Sequence, residues 1–300
     1  AEHPHIPTRF VLSDSEFGLN PKVSNLAGAL RAARYDLVLQ SDANVRARPD
    51  YVTRVVGELL AEGGDLLSSM VVGVGGLGSW VAELLVRAGV GMLRICDDDS
   101  VELSNLHRQA LYVEADAAQW PLKAEAAAKR LSAINSDCQI EPFCERIDRL
   151  TIHRAAKEIE VIIDATDNFE TRFLINDYAV KYSVPWVSAG VMEGEGQVMT
   201  LMPGTTPCLR CILPSAPSCC AGDSNACFQF GVLGPVVAAM ASMQAVEAVK
   251  LLADFADKAS PCLTKFDLWN NTLQRIPLST LGPVADCPCC GRKEFDYLEP

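Results

Sequence analysis

Four cysteines stand in two short pairs, Cys208-Leu-Arg-Cys211 and Cys287-Pro-Cys-Cys290, about 75 residues apart. Each pair is a short chelate, and together they are the ligand set of a closed tetrahedral zinc site made of four thiolates. Joining them would tie the C-terminal part back to the body of the protein, a structural role. Cys289 is a substitute ligand, although CxxC spacing favours Cys290, and redox thiols are the competing chemistry. Twelve cysteines could suggest a secreted disulfide scaffold, but such scaffolds are short, and in this 300-residue chain their clustering points to metal or thiol chemistry. Cys96, Cys138, Cys144 and Cys262 read as small buried hydrophobes.

A second constellation begins at MVVGVGGLGS. Gly73, Gly75, Gly76 and Gly78 separate an apolar strand from an amphipathic helix, where a missing side chain lets backbone approach a phosphate on the helix N-terminus. Asp97 ends the next strand, 24 residues after Gly73, in the place of a carboxylate that accepts ribose hydroxyls. It opens the triplet Asp97-Asp98-Asp99, of which Asp98 is the most readily explained as a solvated loop residue. A dehydrogenase fits these residues equally well. The run VELSNLHRQ then supplies Asn105, Arg108 and Gln109, and WPLKAEAA supplies Lys123. Two cations beside a nucleotide suit triphosphate chemistry, and hydride transfer has no need of them. Asp167, in DATDN, is expected at the end of another parallel strand, where a carboxylate would hold Mg2+.

The elements that must position these residues follow α/β grammar. From Met70 a strand, the glycine turn and the helix SWVAELLVRAG follow one another, with Val81, Leu84, Leu85 and Ala88 expected on one face. Then come the strand MLRICDDD, a helix around PLKAEAAAKRLSAIN, the strand EVIIDATDN, a helix through Asn176 and the strand VPWVSAGVM. Strands alternating with helices imply a doubly wound, Rossmann-like, mainly parallel sheet covered on both faces. An irregular cysteine-rich stretch leads to the apolar helix GPVVAAMASMQAVEAVKLLA, started by Pro235. The boundary falls at residue 66: a small α/β appendage over 1–66, then the nucleotide-binding domain over 67–300.

The net charge is −12, nearly all of it carried by residues after 66, which argues against a nucleic-acid surface. No run of about 18 uncharged apolar residues and no signal-peptide core is seen, so no membrane association is expected and the cytoplasm is the default.

In this order, GVGGLGS, the acidic strand end, SNLHRQ, PLK, ATDN, the CxxC pairs and GVLGPVV resemble the ThiF/MoeB/HesA family, relatives of ubiquitin-activating enzymes, over roughly residues 70–300. The resemblance implies an adenylyltransferase that uses ATP to activate the C-terminal glycine of a ubiquitin-like sulfur carrier of MoaD or ThiS type, releasing pyrophosphate. Gly73 to Gly78, with Asp97, Asp99, Asn105 and Gln109, would bind the nucleotide, Arg108 and Lys123 the phosphates, and Asp167 Mg2+. It further implies a homodimer and a sulfurtransferase or cysteine desulfurase as partner. Cys227 precedes GVLGPVV by the interval of a reactive cysteine in related activating enzymes, although no basic neighbour is visible around it. Residues 1–66 lack the family's RYxRQ-like arm. Residues 10–70 instead resemble a fragment of a ceramide-glucosyltransferase-like glycosyltransferase, with Asp42 as its carboxylate, Asn44 in place of the second acid, and no QxxRW motif. The seam between the resemblances lies near Val72 to Gly75. Two other readings remain: a non-catalytic scaffold that keeps the zinc fold, and an NAD-dependent oxidoreductase.

Overall fold

A computed structural model describes residues 67–215, 231–253, 255–280 and 285–299. The chain divides into units Ala1–Gly64 and Asp65–Pro300, and the described residues all belong to the second. The proposed appendage, with Asp42 and Asn44, lies outside them.

One eight-stranded sheet organises this unit, in the order β3-β2-β1-β4-β5-β6-β7-β8. The strands are β1 (Ser68–Val72), β2 (Met92–Cys96), β3 (Gln139–Phe143), β4 (Val161–Asp164), β5 (Trp186–Met192), β6 (Glu195–Leu201), β7 (Cys262–Asp267) and β8 (Thr272–Pro277). The first five pair in parallel and the last three continue the sheet antiparallel. Among the described residues, four long helices cover it: α1 (Gly76–Ala88), α2 (Lys123–Ile134), α3 (Phe169–Tyr182) and α4 (Gly234–Leu252). The chain runs from β1 outward through β2 to β3 and then returns to β4 on the other flank of β1. Strand order therefore reverses between β1 and β4, and a crevice opens beyond their C-terminal ends, where ligands of open α/β sheets bind.

β1 is buried along its whole length because it pairs on both edges and lies under helices on both faces. On one face, α1, α2 and α4 pack Leu85, Leu131 and Met240 against Val71, Leu93 and Val187. On the other, α3 packs Phe173, Ile175 and Tyr178 with Met70, Ile162 and Trp186. The expected inner face of α1 is corrected at one end. Val81 and Leu85 are buried together with Leu77, Ala82 and Val86, whereas Ala88 is exposed where the helix stops at Gly89. α4 is apolar and long enough to cross a membrane by composition, but half of that span is buried, and its Val236, Val237, Met240 and Ala241 belong to the core.

Gln244 of α4, fully buried, donates from Nε2 to Asp164 O at 2.7 Å and to Val187 O at 2.9 Å. One helix side chain thus holds β4 and β5 together at the edge where the crevice lies.

The glycine turn is made by close backbone contact. A Cβ on Gly78 would lie 1.8 Å from Gly73 O, whereas one on Gly89 would meet nothing within 4 Å and be strained only by its φ of +88°. Gly78→Ala is expected to destabilise the fold by about 3 kcal/mol or more. Gly89→Ala should cost only about 1 kcal/mol, in line with a left-handed residue. Denaturant unfolding of both variants checks the ordering.

Candidate nucleotide site and thiol cluster

Gly73 has φ of +84°, and a Cβ there would sit 3.0 Å from Ala165 O, so the turn after β1 lies directly against the turn after β4. Gly75 caps α1 without any side chain to satisfy the first-turn N–H groups. A helix of 13 residues thus presents bare donors and the positive end of its dipole to the crevice.

Asp97, just past β2, binds this turn from the side. Its Oδ2 accepts from Val74 N–H at 2.7 Å and its Oδ1 from Asp99 N–H at 2.9 Å. Each oxygen keeps a lone pair for a further donor. Burial pushes the Asp97 carboxyl above the usual range, against the opposing pull of Lys123 and of the two N–H groups. Lys123 begins α2 and is only 6% exposed. Its Nζ lies 2.7 Å from Asp99 Oδ2, and its N–H donates to Asp99 O at 2.8 Å. The ammonium is therefore held at the site by an exposed carboxylate that phosphate oxygens can displace.

The loop carrying Arg108 is docked on the first turns of α1. Ala110 N–H donates to Ser79 Oγ at 3.0 Å, and Trp80 Nε1–H donates to Arg108 O at 3.2 Å. Asn105, buried, accepts from Arg108 Nη2 at 2.7 Å and so aims the guanidinium. Gln109 is 4% exposed, its Nε2 lies 3.6 Å from the Cβ position of Gly75, and its Oε1 has no hydrogen-bond partner. A buried acceptor left without a donor beside a bare helix N-terminus is what a bound ligand would complete.

Asp167 requires a correction. β4 ends at Asp164, and Asp167 lies three residues further on, exposed in the loop. Asp164 is the buried carboxylate: Oδ2 accepts from Arg172 Nε at 2.7 Å and Ser188 Oγ at 2.8 Å, and Oδ1 from Thr166 Oγ1 at 2.6 Å. Arg172 Nη2 also donates to Thr166 O and Ala189 O, both at 2.9 Å. This network shapes the loop that presents Asp167. Sequence reasoning missed Asp164, Arg172, Ser188 and Gln244, as well as Tyr112, whose hydroxyl donates to Val74 O at 2.8 Å and lies 3.2 Å from Lys123 O. Burial drives the Tyr112 phenol far above its usual pKa, so it stays a donor.

The Sγ atoms of Cys208, Cys211, Cys287 and Cys290 all lie within 4.8 Å of one another. The separations Cys208–Cys287, Cys208–Cys211 and Cys211–Cys290 are 3.6, 3.8 and 3.2 Å. Sulfurs about 2.3 Å from a tetrahedral ion are about 3.8 Å apart, so the cluster fits zinc. Hydrogen bonding from Cys289, and then from the Cys211 N–H and the other thiols, pulls the Cys208 thiol down toward the ligating thiolate. Cys289, outside the group of four, hydrogen-bonds Cys208 and also accepts from Asn176 Nδ2 of α3 at 3.3 Å. Cys96, Cys138 and Cys262 are buried as expected, and Cys144 is half-buried. Cys227 lies outside the described residues, as do Cys219 and Cys220.

Strand reversal, bare helix N-terminus and docked cations together make this edge of the Rossmann-type sheet a candidate nucleotide site. The ThiF family model matches residues 57–289, and the chain belongs to the ThiF family. A glycosyl transferase family 21 model matches residues 1–88. The sulfur carrier protein ThiS adenylyltransferase of Bacillus subtilis is 40% identical over 230 residues, covering 77% of this chain and 66% of that protein. The SAMP-activating enzyme E1 of Haloferax volcanii is 39% identical over 248 residues, covering 82% and 89%. The adenylyltransferase and sulfurtransferase MOCS3 of Sus scrofa is 37% identical over 226 residues, covering 75% and 48%. The chain thus spans from about half to nine-tenths of these relatives' lengths. Among solved structures, E. coli MccB has the same fold, with a TM-score of 0.67 at 21% identity, over 81% of this chain and 69% of that one.

Because the carboxyl of Asp97 is raised in the fold, the folded state binds its proton more tightly than the unfolded chain does. As pH rises above 3.8, the ordinary value, ionisation therefore costs stability, and the cost is complete above the folded value. Unfolding free energies of the wild type and Asp97→Asn, measured from acid to neutral pH, should diverge with the wild type losing ground as pH rises.

Proposed function

We propose that this chain catalyses ATP-dependent adenylylation of the C-terminal glycine of a ubiquitin-like sulfur carrier, a reading supported by its similarity to a sulfur carrier protein ThiS adenylyltransferase. The observation that carries the reading is the Arg108 loop, fastened to the first turns of α1 beside the orphaned Gln109 acceptor. A carboxylate oxygen of the carrier attacks the α-phosphorus of ATP, the bond from that phosphorus to the bridging oxygen breaks, and pyrophosphate leaves with the bonding electrons. No general base is needed, because a C-terminal carboxylate is ionised at neutral pH. The obstacle is bringing an anion to a polyanion, and fixed positive groups in a water-poor site address it. Lys123, nearly free of solvent, exchanges its Asp99 partner for phosphate oxygens, while Arg108 and the N–H groups of α1 bind the remainder. Asp97 receives the ribose. Exposed Asp167, whose carboxylate makes no hydrogen bond to a described residue, would hold Mg2+, which supplies charge neutralisation at the phosphates.

Zinc in the four-cysteine cluster is proposed as structural. We further assign the protein a cytoplasmic location, a sulfur-donating enzyme as downstream partner, and a homodimeric state to which exposed Val246 and Val249 of α4 would contribute. Residues 1–66 are assigned as an appendage that supplies no catalytic group.

Pyrophosphate exchange with a ThiS-type carrier tests the activity. Arg108→Ala and Lys123→Ala should each slow it by about a hundred- to a thousand-fold. Unimpaired exchange in Arg108→Ala would remove that residue from the phosphate site. Metal analysis should find about one zinc per chain, and its chelation, or Cys208→Ser, should lower the thermal midpoint. A zinc-loaded, folded chain without exchange would instead favour the non-catalytic scaffold.

A further inference from the structure

The two cations of the candidate site are held in different ways. Lys123 rests on a carboxylate, whereas Arg108 has two neutral partners and no carboxylate among the described residues. Its Nη2 donates to Asn105 Oδ1 at 2.7 Å, and its Nη1 lies 3.3 Å from His107 Nε2. Its Cδ and Cγ lie 3.7 and 3.8 Å from the Cβ position of Gly76, so the stem crosses the first turn of α1. A cation with neutral partners thus sits beside the positive end of a helix, an arrangement that an anion relieves.

His107 is the partner whose state can change. A guanidinium only donates, so Nε2 must accept, and Ser104 O, 3.0 Å from Nδ1, only accepts, so the proton is on Nδ1. The ring is therefore a neutral imidazole of one tautomer. Glu102 secures the other partner of Arg108. Its Oε2 accepts from Ser104 Oγ at 3.1 Å and from Asn105 Nδ2 at 3.3 Å, which turns the Asn105 oxygen toward the guanidinium. The backbone is clamped from outside: a Cβ on Gly234, at the start of α4, would lie 2.7 Å from His107 O and 3.9 Å from Arg108 Cα. Glu102 and Arg108 are the other ionisable groups of this loop, and the first turns of α1 and α4 packed against it add none.

We infer that His107 is a positioning residue for Arg108, holding the guanidinium toward the phosphates as a neutral acceptor and releasing it on protonation. The inference rests on the adenylylation reading, which places Arg108 at the phosphates. His107 is exposed, so its proton comes from solvent. A proton on Nε2 removes the acceptor and sets a second cation against Arg108, while the Nδ1–H bond to Ser104 O keeps the ring in place. Arg108 is then the group that turns away. A histidine that bound phosphate itself would act with the opposite sign, since protonation would strengthen its hold on an anion.

The sign and origin of the pH dependence test this. Affinity for a non-hydrolysable ATP analogue is measured from about pH 8 to about pH 5.5, the range in which imidazoles exchange a proton, for the wild type, His107→Gln and His107→Ala. Titration of the analogue itself is common to all three and cancels in the comparison. Toward the acid end, wild-type affinity should fall about fivefold more than that of His107→Gln, which keeps an acceptor and cannot take up the proton. Near pH 8, His107→Ala should bind the analogue about threefold to tenfold more weakly, with kcat in pyrophosphate exchange lowered as well. His107→Gln, whose amide oxygen reaches the place of Nε2, should restore both to within about twofold, and the thermal midpoints of all three should agree. Parallel pH profiles for the wild type and His107→Gln would overturn the inference, as would wild-type affinity that rises on acidification where that of His107→Gln does not. If Arg108→Ala still lowers exchange, either result removes His107 alone. A wild type that binds the analogue but exchanges with no carrier removes the adenylylation reading, and the two binding profiles still decide the role of His107.

Discussion

Backbone touches backbone at the turn after β1, and much of the site follows from that contact. With Gly78 against Gly73 O there is no volume for a side chain, and α1 begins with its N–H groups bare. The surrounding elements are then fastened to the turn by single polar bonds. Asp97 holds Val74 N–H, Tyr112 holds Val74 O, and Ser79 holds the loop that carries Arg108. Because these bonds run to backbone atoms, they fix positions without consuming the α1 N-terminus. Among the buried side-chain atoms left without a partner is the Gln109 acceptor, beside that N-terminus.

The opposite wall depends on a buried ion pair. Removing Asp164 and Arg172 from water is costly, and such a pair is retained only when its remaining donors and acceptors are satisfied. Here Ser188, Thr166 and the carbonyls of Thr166 and Ala189 supply those bonds to every polar atom of the pair except Arg172 Nη1, so the pair joins β4, β5 and the ATDN loop into one unit. α3 carries this charge and, one turn later, Asn176, which accepts from Leu209 N–H beside Cys208 and donates to Cys289. Asp177 next to it accepts from Tyr297 N–H and pairs with Arg210. The thiol cluster and the candidate nucleotide edge are therefore tied to successive turns of one helix. A metal that closes the four-cysteine site would steady the helix on which Arg172 stands.

The parts legible in the sequence were those where chemistry or periodicity leaves a local trace. Glycines between an apolar strand and an amphipathic helix, an acid one strand later and two CxxC pairs are such traces, and the structure places each pair's sulfurs together. β3, with Pro142 and alternating polar residues at the parallel end of the sheet, carried little signal, and neither did fully exposed β8 at the other end. Asp164 was hidden for a different reason. In DATDN two aspartates are equally plausible from sequence, and only the partner eight residues on, Arg172, decides which is buried. Likewise, nothing local marks Tyr112 or Gln244, whose partners are 38 and 80 residues away in sequence.

Both family models claim residues 57–88, the span that contains β1, the glycine turn and α1. A strand, a glycine turn and a helix are generic grammar, so similarity there says little about chemistry. The pairing of β1 with β2 and β4 makes the segment integral to the parallel sheet, which puts any structural seam before Ser68 rather than within the turn at Val72 to Gly75. What distinguishes a nucleotidyl-transfer site from other uses of this turn is the material docked on it. Helix α1 receives a loop with a guanidinium and a buried amide, and α2 brings in an ammonium held by an exposed acid. Cations held by partners that a phosphate can outcompete are suited to a polyanion that binds, reacts and leaves. A hydride carrier would require no such exchange.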